Sequence, residues 1–361
     1  MNNNGSPPPL PIYTGPDQNS DIEVLSSSLA VTITIFFLVF SVLFFILGNS
    51  QNENFVRFLG LFSINFVSIV LEAVPFMLIG TLIGGAIEVF VPVAILDRFL
   101  GRGRRHGIFV AGGLGLLFPT CECAIVPIVR RLIIKGVSIP AAICFMLSGP
   151  IVNVIVAWST AVAYTYNWNM VLLRVACGYL VAVLIGLVLG CLKRPEKLIL
   201  ENVAELSVRT CGCHGEQFQK TPVWSKLLHA LGHARDDFLQ VGKYLVIGAF
   251  IAAFIRTVTP MASFARLSDS PEILIFIMMG MAVLMNLCSE ADAFIAASFR
   301  WLLPGSAQLG FLVLGPMLDL KLMVMYLSVF RKRTIVLLSF LTFSVVYILM
   351  LIVETVLPPF V

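Results

Sequence analysis

The sequence predicts an all-α polytopic membrane protein made of two inverted repeats. The chain has 361 residues, of which 58% are hydrophobic and only 12% charged, about half the charged fraction of a soluble domain. Apolar runs of twenty or more residues recur, and each can cross a hydrocarbon core of about 30 Å. An internal repeat then divides the chain into halves, and the distribution of Arg and Lys orients them.

The repeat appears when the sequence is compared with itself at a shift of 168 residues, the interval from Gly80 to Gly248. Landmarks of the same type then coincide in the same order, which rarely arises by chance. The matched positions are Gly80 with Gly248, Pro92 with Pro260, Glu122 with Glu290 and, after a gap of two residues, Gly149-Pro150 with Gly315-Pro316 and Asn153 with Asp319.

The repeat and the composition together divide the chain into five segments. We expect each repeat half to contain three spanning helices and one broken re-entrant hairpin, and one extra helix to precede the first half. The predicted segments are a disordered tail at 1–25, the extra transmembrane helix at 26–50, the first repeat half at 56–195, a cytoplasmic linker at 196–225 and the second repeat half at 226–361.

The hairpins are predicted where a simple crossing would conflict with the charges. Residues 107–131 have basic clusters at both ends, whereas basic residues favour the inner side of a membrane. Two arms of about 12 residues, each rising roughly 18 Å, would reach the midplane and return. The corresponding hairpin of the second half is 272–300. The remaining spans are 63–91, 138–163, 170–192, 234–257, 306–330 and 334–356.

The inverted orientation follows from the cluster Arg331-Lys332-Arg333, which fixes the end of span 306–330 on the inner side. The second hairpin then enters from the outside. Few basic residues remain on the outer side in this arrangement, namely Arg57, Arg174, Arg256, Arg266 and Arg300. The alternative is nine plain crossings in two parallel halves.

Two glutamates are the main candidates for a site that binds substrate or an ion. Glu122 and Glu290 lie at the tips of the two hairpins, and a charge near the bilayer centre costs at least a few kcal/mol. A carboxyl retained there is a functional candidate that could carry a proton. The structural alternative is a glutamate that caps a broken helix or pairs with a lysine. Asp292 is a further acid beside the second tip.

Three prolines mark breaks in the helices, because proline removes a backbone donor and clashes with the preceding turn. They are Pro119 in the first hairpin and Pro150 and Pro316 in the middle spans. Asn153 and Asp319 follow the last two breaks and are candidate binding residues or parts of a polar kink. Asp319 is two residues from Lys321, and an irregular turn after the proline could bring these two side chains together.

Thiols lie beside both glutamates. Cys121 and Cys123 flank Glu122, and Cys288 precedes Glu290 by two residues. Thiolates are soft ligands suited to copper(I), zinc or trivalent arsenic, so we expect these cysteines to contact substrate. A second soft cluster in the linker consists of Cys211, Cys213 and His214 and is either a partial metal site or an exposed reduced loop.

The sequence resembles the ArsP-type permease family over about residues 60–358. The resemblance rests on Phe118-Pro-Thr-Cys-Glu-Cys-Ala-Ile-Val-Pro127, on Phe145-Met-Leu-Ser-Gly-Pro-Ile-Val-Asn153 and on Cys288-Ser-Glu-Ala-Asp-Ala-Phe294. It implies a multi-pass permease of the cytoplasmic membrane, in some members an exporter of trivalent organoarsenicals. It leaves the substrate open, because the family is wide.

These observations favour a gradient-driven secondary transporter that exports a small solute, and not an enzyme. The chain has no Walker-type phosphate loop. We expect no cofactor and no nucleic-acid partner; the expected partners are membrane lipid and a small-molecule or ion substrate, with homo-oligomerisation left open. The alternatives are a membrane-embedded thiol or metal oxidoreductase that uses Cys121 and Cys123, and a passive channel.

Overall fold

The structure, a computed structural model, describes residues 53–91, 96, 100, 106–116, 120–192, 198–200, 223–258 and 270–356. The predictions for the tail 1–25, the extra helix 26–50, most of the linker, Pro119, and the cluster Cys211, Cys213 and His214 lie outside these residues. The described part is almost wholly helical. Its only β-type pairing is an isolated bridge between Ile199 and Phe330.

Twelve α-helices form the described part of the chain. They are α1 (Glu53–Phe90), α2 (His106–Gly113, extended by a 3₁₀ turn at Leu114–Leu116), α3 (Glu122–Ile134), α4 (Ile139–Ser148), α5 (Val154–Ala163), α6 (Trp168–Gly190), α7 (Val223–Val258), α8 (Pro271–Met285), α9 (Ala291–Ser298), α10 (Gly305–Leu314), α11 (Leu320–Tyr326) and α12 (Lys332–Val356).

Helices α1–α6 and α7–α12 follow the same order of long and short elements, and their packing also corresponds. In the first half α2 packs on α4 and α6, α3 packs on α4, and α5 packs on α6. In the second half α8 packs on α10 and α12, α9 packs on α10, and α11 packs on α12. Between the halves α3 contacts α11, and α9 contacts α5. Whether the halves are inverted in the membrane, and whether the hairpins are re-entrant, stay predictions.

Each predicted middle span is broken into two short helices. Helices α4 and α5 are separated at 149–153, and α10 and α11 at 315–319. Pro150 and Pro316 lie in these breaks, where each lacks the amide hydrogen that a continuous helix would need. The breaks place two new helix N-termini, those of α5 and α11, inside the bundle.

The distribution of polarity confirms an all-α polytopic membrane protein. Among the described residues, four helices are long and apolar enough to cross a membrane, within Phe55–Phe90, Trp168–Gly190, Ala230–Val258 and Lys332–Val356. Large apolar side chains such as Leu71 and Phe340 are exposed, whereas Glu122, Arg174 and other charged groups are buried. A soluble protein shows the reverse pattern.

The matched glycines allow α1 and α7 to approach the short helices closely. A Cβ atom added at Gly80 of α1 would lie 2.5 Å from the backbone oxygen of Ala124 in α3. A Cβ added at Gly248 of α7 would lie 3.0 Å from the backbone oxygen of Lys321 in α11. The two long helices therefore press directly on the elements that carry Glu122 and Lys321.

A buried network, here called the α3 basic network, ties α3 to both long helices. Arg130 donates to Asp237 of α7 at 2.5 Å, and Arg131 binds both Asp237 and Glu88 of α1. Lys135 donates to two backbone carbonyls near the end of α1. Because buried charges are stable only when they are paired, these contacts fix α1, α3 and α7 relative to one another.

We expect Gly80→Ala to destabilise the protein, because its methyl group would collide with backbone atoms of α3 and not with a flexible side chain. Overpacking of this kind costs about 1–3 kcal/mol. Gly60→Ala in the same helix is the matched control, since no atom lies within 4 Å of its added Cβ. The measurement is thermal unfolding of the detergent-solubilised protein, and a Gly80→Ala protein as stable as the control would contradict the close contact.

We expect Arg131→Met to destabilise the protein more strongly, because Glu88 loses the guanidinium that binds it and Asp237 keeps only Arg130. Breaking a buried ion pair costs about 3–5 kcal/mol. Arg235→Met is the control, since Arg235 pairs with Asp236 at the surface. The same thermal measurement compares the two variants, and equal unfolding temperatures would show that the α3 basic network contributes little.

Candidate functional site

The candidate site begins where the two predicted hairpin regions, called the first and second hairpin below, are interrupted. In the first half α3 starts at Glu122, and Cys121 precedes it in an extended conformation with φ −78° and ψ 170°. In the second half α8 ends at Asn286, whose φ of +48° is left-handed. Asparagine tolerates this conformation at a helix C-terminus. The chain then reaches Glu290, the residue just before α9.

Glu122 is buried at the meeting point of the halves, with 1% of its surface exposed. Its Oε1 atom lies 3.5 Å from Nζ of Lys321 in α11. Its Oε2 atom accepts a long hydrogen bond, 3.4 Å, from the backbone N–H of Ser289 in the second hairpin. The carboxylate also stands at the N-terminus of α3, where the helix dipole favours negative charge.

Lys321 is held in place by two elements of its own half. Its backbone N–H donates to Oδ1 of Asn286 at 2.9 Å, and its Nζ atom lies 4.0 Å from Oδ2 of Asp319. Asp319 caps α11 by accepting the N–H of Leu322 at 2.6 Å. The break after Pro316 thus brings Asp319 and Lys321 together.

A narrow crevice lies beside Glu122 and Lys321. Three thiols face it, two from the first hairpin and one from the second. Its lining residues are Glu72, Ala73, Phe76, Cys121, Glu122, Cys123, Cys288 and Lys321. All three cysteines are buried and unpaired by disulfides. In the described part of the chain no group of three or more His, Cys, Asp or Glu is arranged to hold a metal ion.

Glu290 lies beside the crevice and is half-buried. Its Oε2 atom accepts hydrogen bonds from Cys288 Sγ at 2.7 Å and from Ser289 Oγ at 3.4 Å. Its backbone oxygen accepts from Ser159 of α5 at 2.7 Å. The two hairpin tips therefore touch through Ser289, while the two predicted glutamates have different partners.

The remaining predicted site residues lie outside the crevice lining. Asn153 caps α5 by accepting the N–H of Ile155 at 2.9 Å, as Asp319 caps α11. Asp292 is buried in the first turn of α9. Pro150 lies in the turn before α5, and Pro316 lies in the turn before α11.

Sequence reasoning missed three charged groups of this region. Lys321 was considered only as a neighbour of Asp319, and Glu72, an acid within an apolar span, was overlooked. Arg174, which the sequence places towards the outer side, lies six residues inside α6, and its guanidinium is fully buried. Each is an ionisable residue in an apolar run, a signal that marks functional positions in membrane helices.

The chain matches a protein family over nearly all of the described region. The family model ArsP_1, described as a predicted permease, matches residues 58–355. No solved structure matches the chain at a significant level.

Two relatives match most of the chain. The UPF0718 protein YcgR of Bacillus subtilis is 39% identical over 284 residues, which cover 79% of this chain and 93% of the relative. A protein of Streptococcus mutans, provisionally named as a two-component membrane permease complex subunit, is 35% identical over 270 residues, 75% of this chain and 87% of the relative. The chain therefore belongs to the ArsP_1 family of predicted permeases.

Proposed function

We propose that this permease is a gradient-driven secondary transporter that exports a small soft solute, such as a trivalent organoarsenical, across the cytoplasmic membrane. The observation that carries the proposal is the convergence of three thiols from both halves on the buried pair of Glu122 and Lys321. Membership of a permease family favours transport over catalysis.

The thiols suit a solute that binds soft ligands. Cys121 and Cys123 belong to the first hairpin and Cys288 to the second, so a solute held by thiols of both would bridge the halves. Trivalent arsenic and soft metal ions bind thiolates strongly. Such a solute would be bound while the tips are together and released when they separate, which is the basis of alternating access.

The environment of the charged pair would change when the tips separate. Glu122 and Lys321 lie on different halves and are both almost fully buried. Separation of the tips would expose the two charges to water, and water would compensate the loss of their attraction. A proton or ion gradient can drive such a cycle, and the chain contains no phosphate-binding loop for ATP.

The proposal also includes a second subunit and location in the cytoplasmic membrane. The streptococcal relative is named as one subunit of a two-component complex, which supports a second membrane subunit for this chain as well. The predicted excess of basic residues on the inner side supports insertion in the cytoplasmic membrane.

We expect Glu122→Gln to reduce transport of phenylarsine oxide at least about tenfold, because Lys321 loses its partner across the halves and breaking a buried pair costs about 3–5 kcal/mol. Everted membrane vesicles from arsenic-sensitive cells provide the assay, with vesicle arsenic measured by mass spectrometry. The double variant Glu122→Gln with Lys321→Met removes both charges and tests folding separately. Transport at the wild-type rate in this double variant would show that the Glu122–Lys321 pair is not needed for transport.

We expect the triple change of Cys121, Cys123 and Cys288 to Ser to abolish transport of the same arsenical, because serine is a poor ligand for trivalent arsenic. Cys177→Ser is the matched control, a buried cysteine of α6 outside the crevice. Unchanged export by the triple variant would contradict thiol binding. Net oxidation of added dithiols by wild-type protein alone would instead favour the oxidoreductase, and flux without saturation would favour a channel.

A further inference from the structure

A second group of buried charges lies beside the tip of the second hairpin and is not part of the crevice lining. Arg174 of α6 is the largest fully buried side chain of the described residues, and Asp292 of α9 is 2% exposed. Neither residue lines the crevice. Buried ionisable groups in membrane helices are costly and mark functional positions, so their role needs an explanation of its own.

Arg174 is anchored by neutral groups. Its Nη1 atom donates to Oγ1 of Thr160 at 2.7 Å, and its Nη2 atom donates to the backbone oxygen of Ser289 at 2.8 Å. The N–H of the same Ser289 points to Glu122. Arg174 and Glu122 thus contact the same residue of the hairpin tip from different sides.

The carboxylate of Asp292 has fewer polar partners than the guanidinium of Arg174. Its Oδ2 atom is buried and has no hydrogen-bond partner among the residues that the structure describes. It faces Gly315 at the break between α10 and α11, where an added Cβ would lie 2.8 Å from Oδ2. At the matched position of the first half, Gly149 faces a methyl group of Ile125. An apolar group therefore suffices to pack this break, and packing alone does not require an acid.

The buried charges of this region do not balance. The charges around Asp292 are Arg174 on α6, Glu122 on α3, and Asp319 and Lys321 at the start of α11. Three carboxylates face two cations, which gives a formal charge of −1 when all are ionised, and the half-buried Glu290 adds a further negative charge nearby. The other buried charges described belong to the α3 basic network. An uncompensated buried charge costs several kcal/mol, so a positive charge is expected here.

Asp292 is the carboxylate best placed to receive it as a proton. Glu122 has Lys321 at 3.5 Å and the N–H of Ser289. Asp319 accepts the N–H of Leu322 through Oδ1. Its Oδ2 also has no hydrogen-bond partner in the described part of the chain, but it lies 4.0 Å from Nζ of Lys321. Hydrogen bonds and a nearby cation favour the ionised form of a carboxyl. Oδ2 of Asp292 has neither an N–H donor nor a cation within 4 Å among the described residues.

We propose that Asp292 holds a proton on Oδ2 in this closed arrangement, and that this proton is the one exchanged in each transport cycle. The inference rests on the proposed function and assigns its coupling site, distinct from the thiol crevice. When the break at Gly315 opens to water, the O–H bond of Asp292 ionises and the proton passes to a water molecule. The carboxylate is then solvated and faces Arg174. Reprotonation from the opposite side restores the closed arrangement.

Infrared spectroscopy of the purified protein in lipid bilayers tests proton occupancy without any substrate. At neutral pH we expect a carbonyl stretching band of a protonated carboxylic acid, which shifts when the protein is labelled with ¹³C-carboxyl aspartate and disappears in Asp292→Asn. Asp236→Asn removes an exposed aspartate and should leave the band unchanged. Because the asparagine side chain resembles a protonated aspartate, we expect this variant to fold.

The outcomes are separable. A band that persists in Asp292→Asn, or that fails to shift with labelled aspartate, overturns the proposal. The labelling result holds even if the variant does not fold. In proteoliposomes that contain a pH-sensitive dye, wild-type protein should move protons with phenylarsine oxide, whereas Asp292→Asn should only equilibrate the arsenical. Transport that requires Na⁺ and moves no protons also overturns it. An Asp292 band without arsenical transport would reject the arsenical and retain the proton site.

Discussion

The contact between Glu122 and Lys321 is the interaction on which the centre of this molecule depends. It joins the start of α3 in the first half to the start of α11 in the second, across 199 positions of sequence. In a medium of low polarity neither charge is stable alone, so the two helix starts must remain together as long as the region is dry. The close approach of α1 to α3 at Gly80, and of α7 to α11 at Gly248, supports the same pair from behind. The position of the pair thus determines where the hairpin tips meet.

Side chains satisfy the backbone groups that the breaks in the helices leave without partners. Irregular backbone inside a membrane protein needs hydrogen-bond partners from the protein itself, and here side chains supply them. Asn153 and Asp319 cap α5 and α11, and Asn286 both ends α8 and accepts the N–H of Lys321. The same polar residues that a binding site would require therefore also stabilise the breaks. Their capping contacts account for their burial but leave Asp292 and the crevice thiols without a structural reason.

The sequence was sufficient for the helices and for part of the site, because both depend on local patterns. Apolar runs, prolines and the repeat located the long helices, both predicted hairpin regions and the broken middle spans to within a few residues. The exceptions are α1 and α7, which begin ten and eleven residues earlier than predicted. Glu122, Cys121 and Cys123 could be placed together because they are consecutive. Cys288 was predicted as a candidate because it lies next to Glu290. Lys321 and Glu72 could not be placed in the crevice, because they reach it from distant segments and no local pattern records which helix faces meet. The burial of Arg174 was not predicted either, because a basic residue six positions inside a helix can point to solvent or to the core.

Ser289 shows what a single shared residue can impose. Its N–H serves the carboxylate of Glu122, and its carbonyl oxygen serves the guanidinium of Arg174. A displacement of Ser289 as a whole changes the lengths of both contacts. The two charge sites are therefore coupled through Ser289. If a ligand at one site changes the affinity of the other site for its own ligand, the second ligand changes the affinity for the first by the same factor. Ser289 at the hairpin tip would then carry the energetic coupling between the two sites.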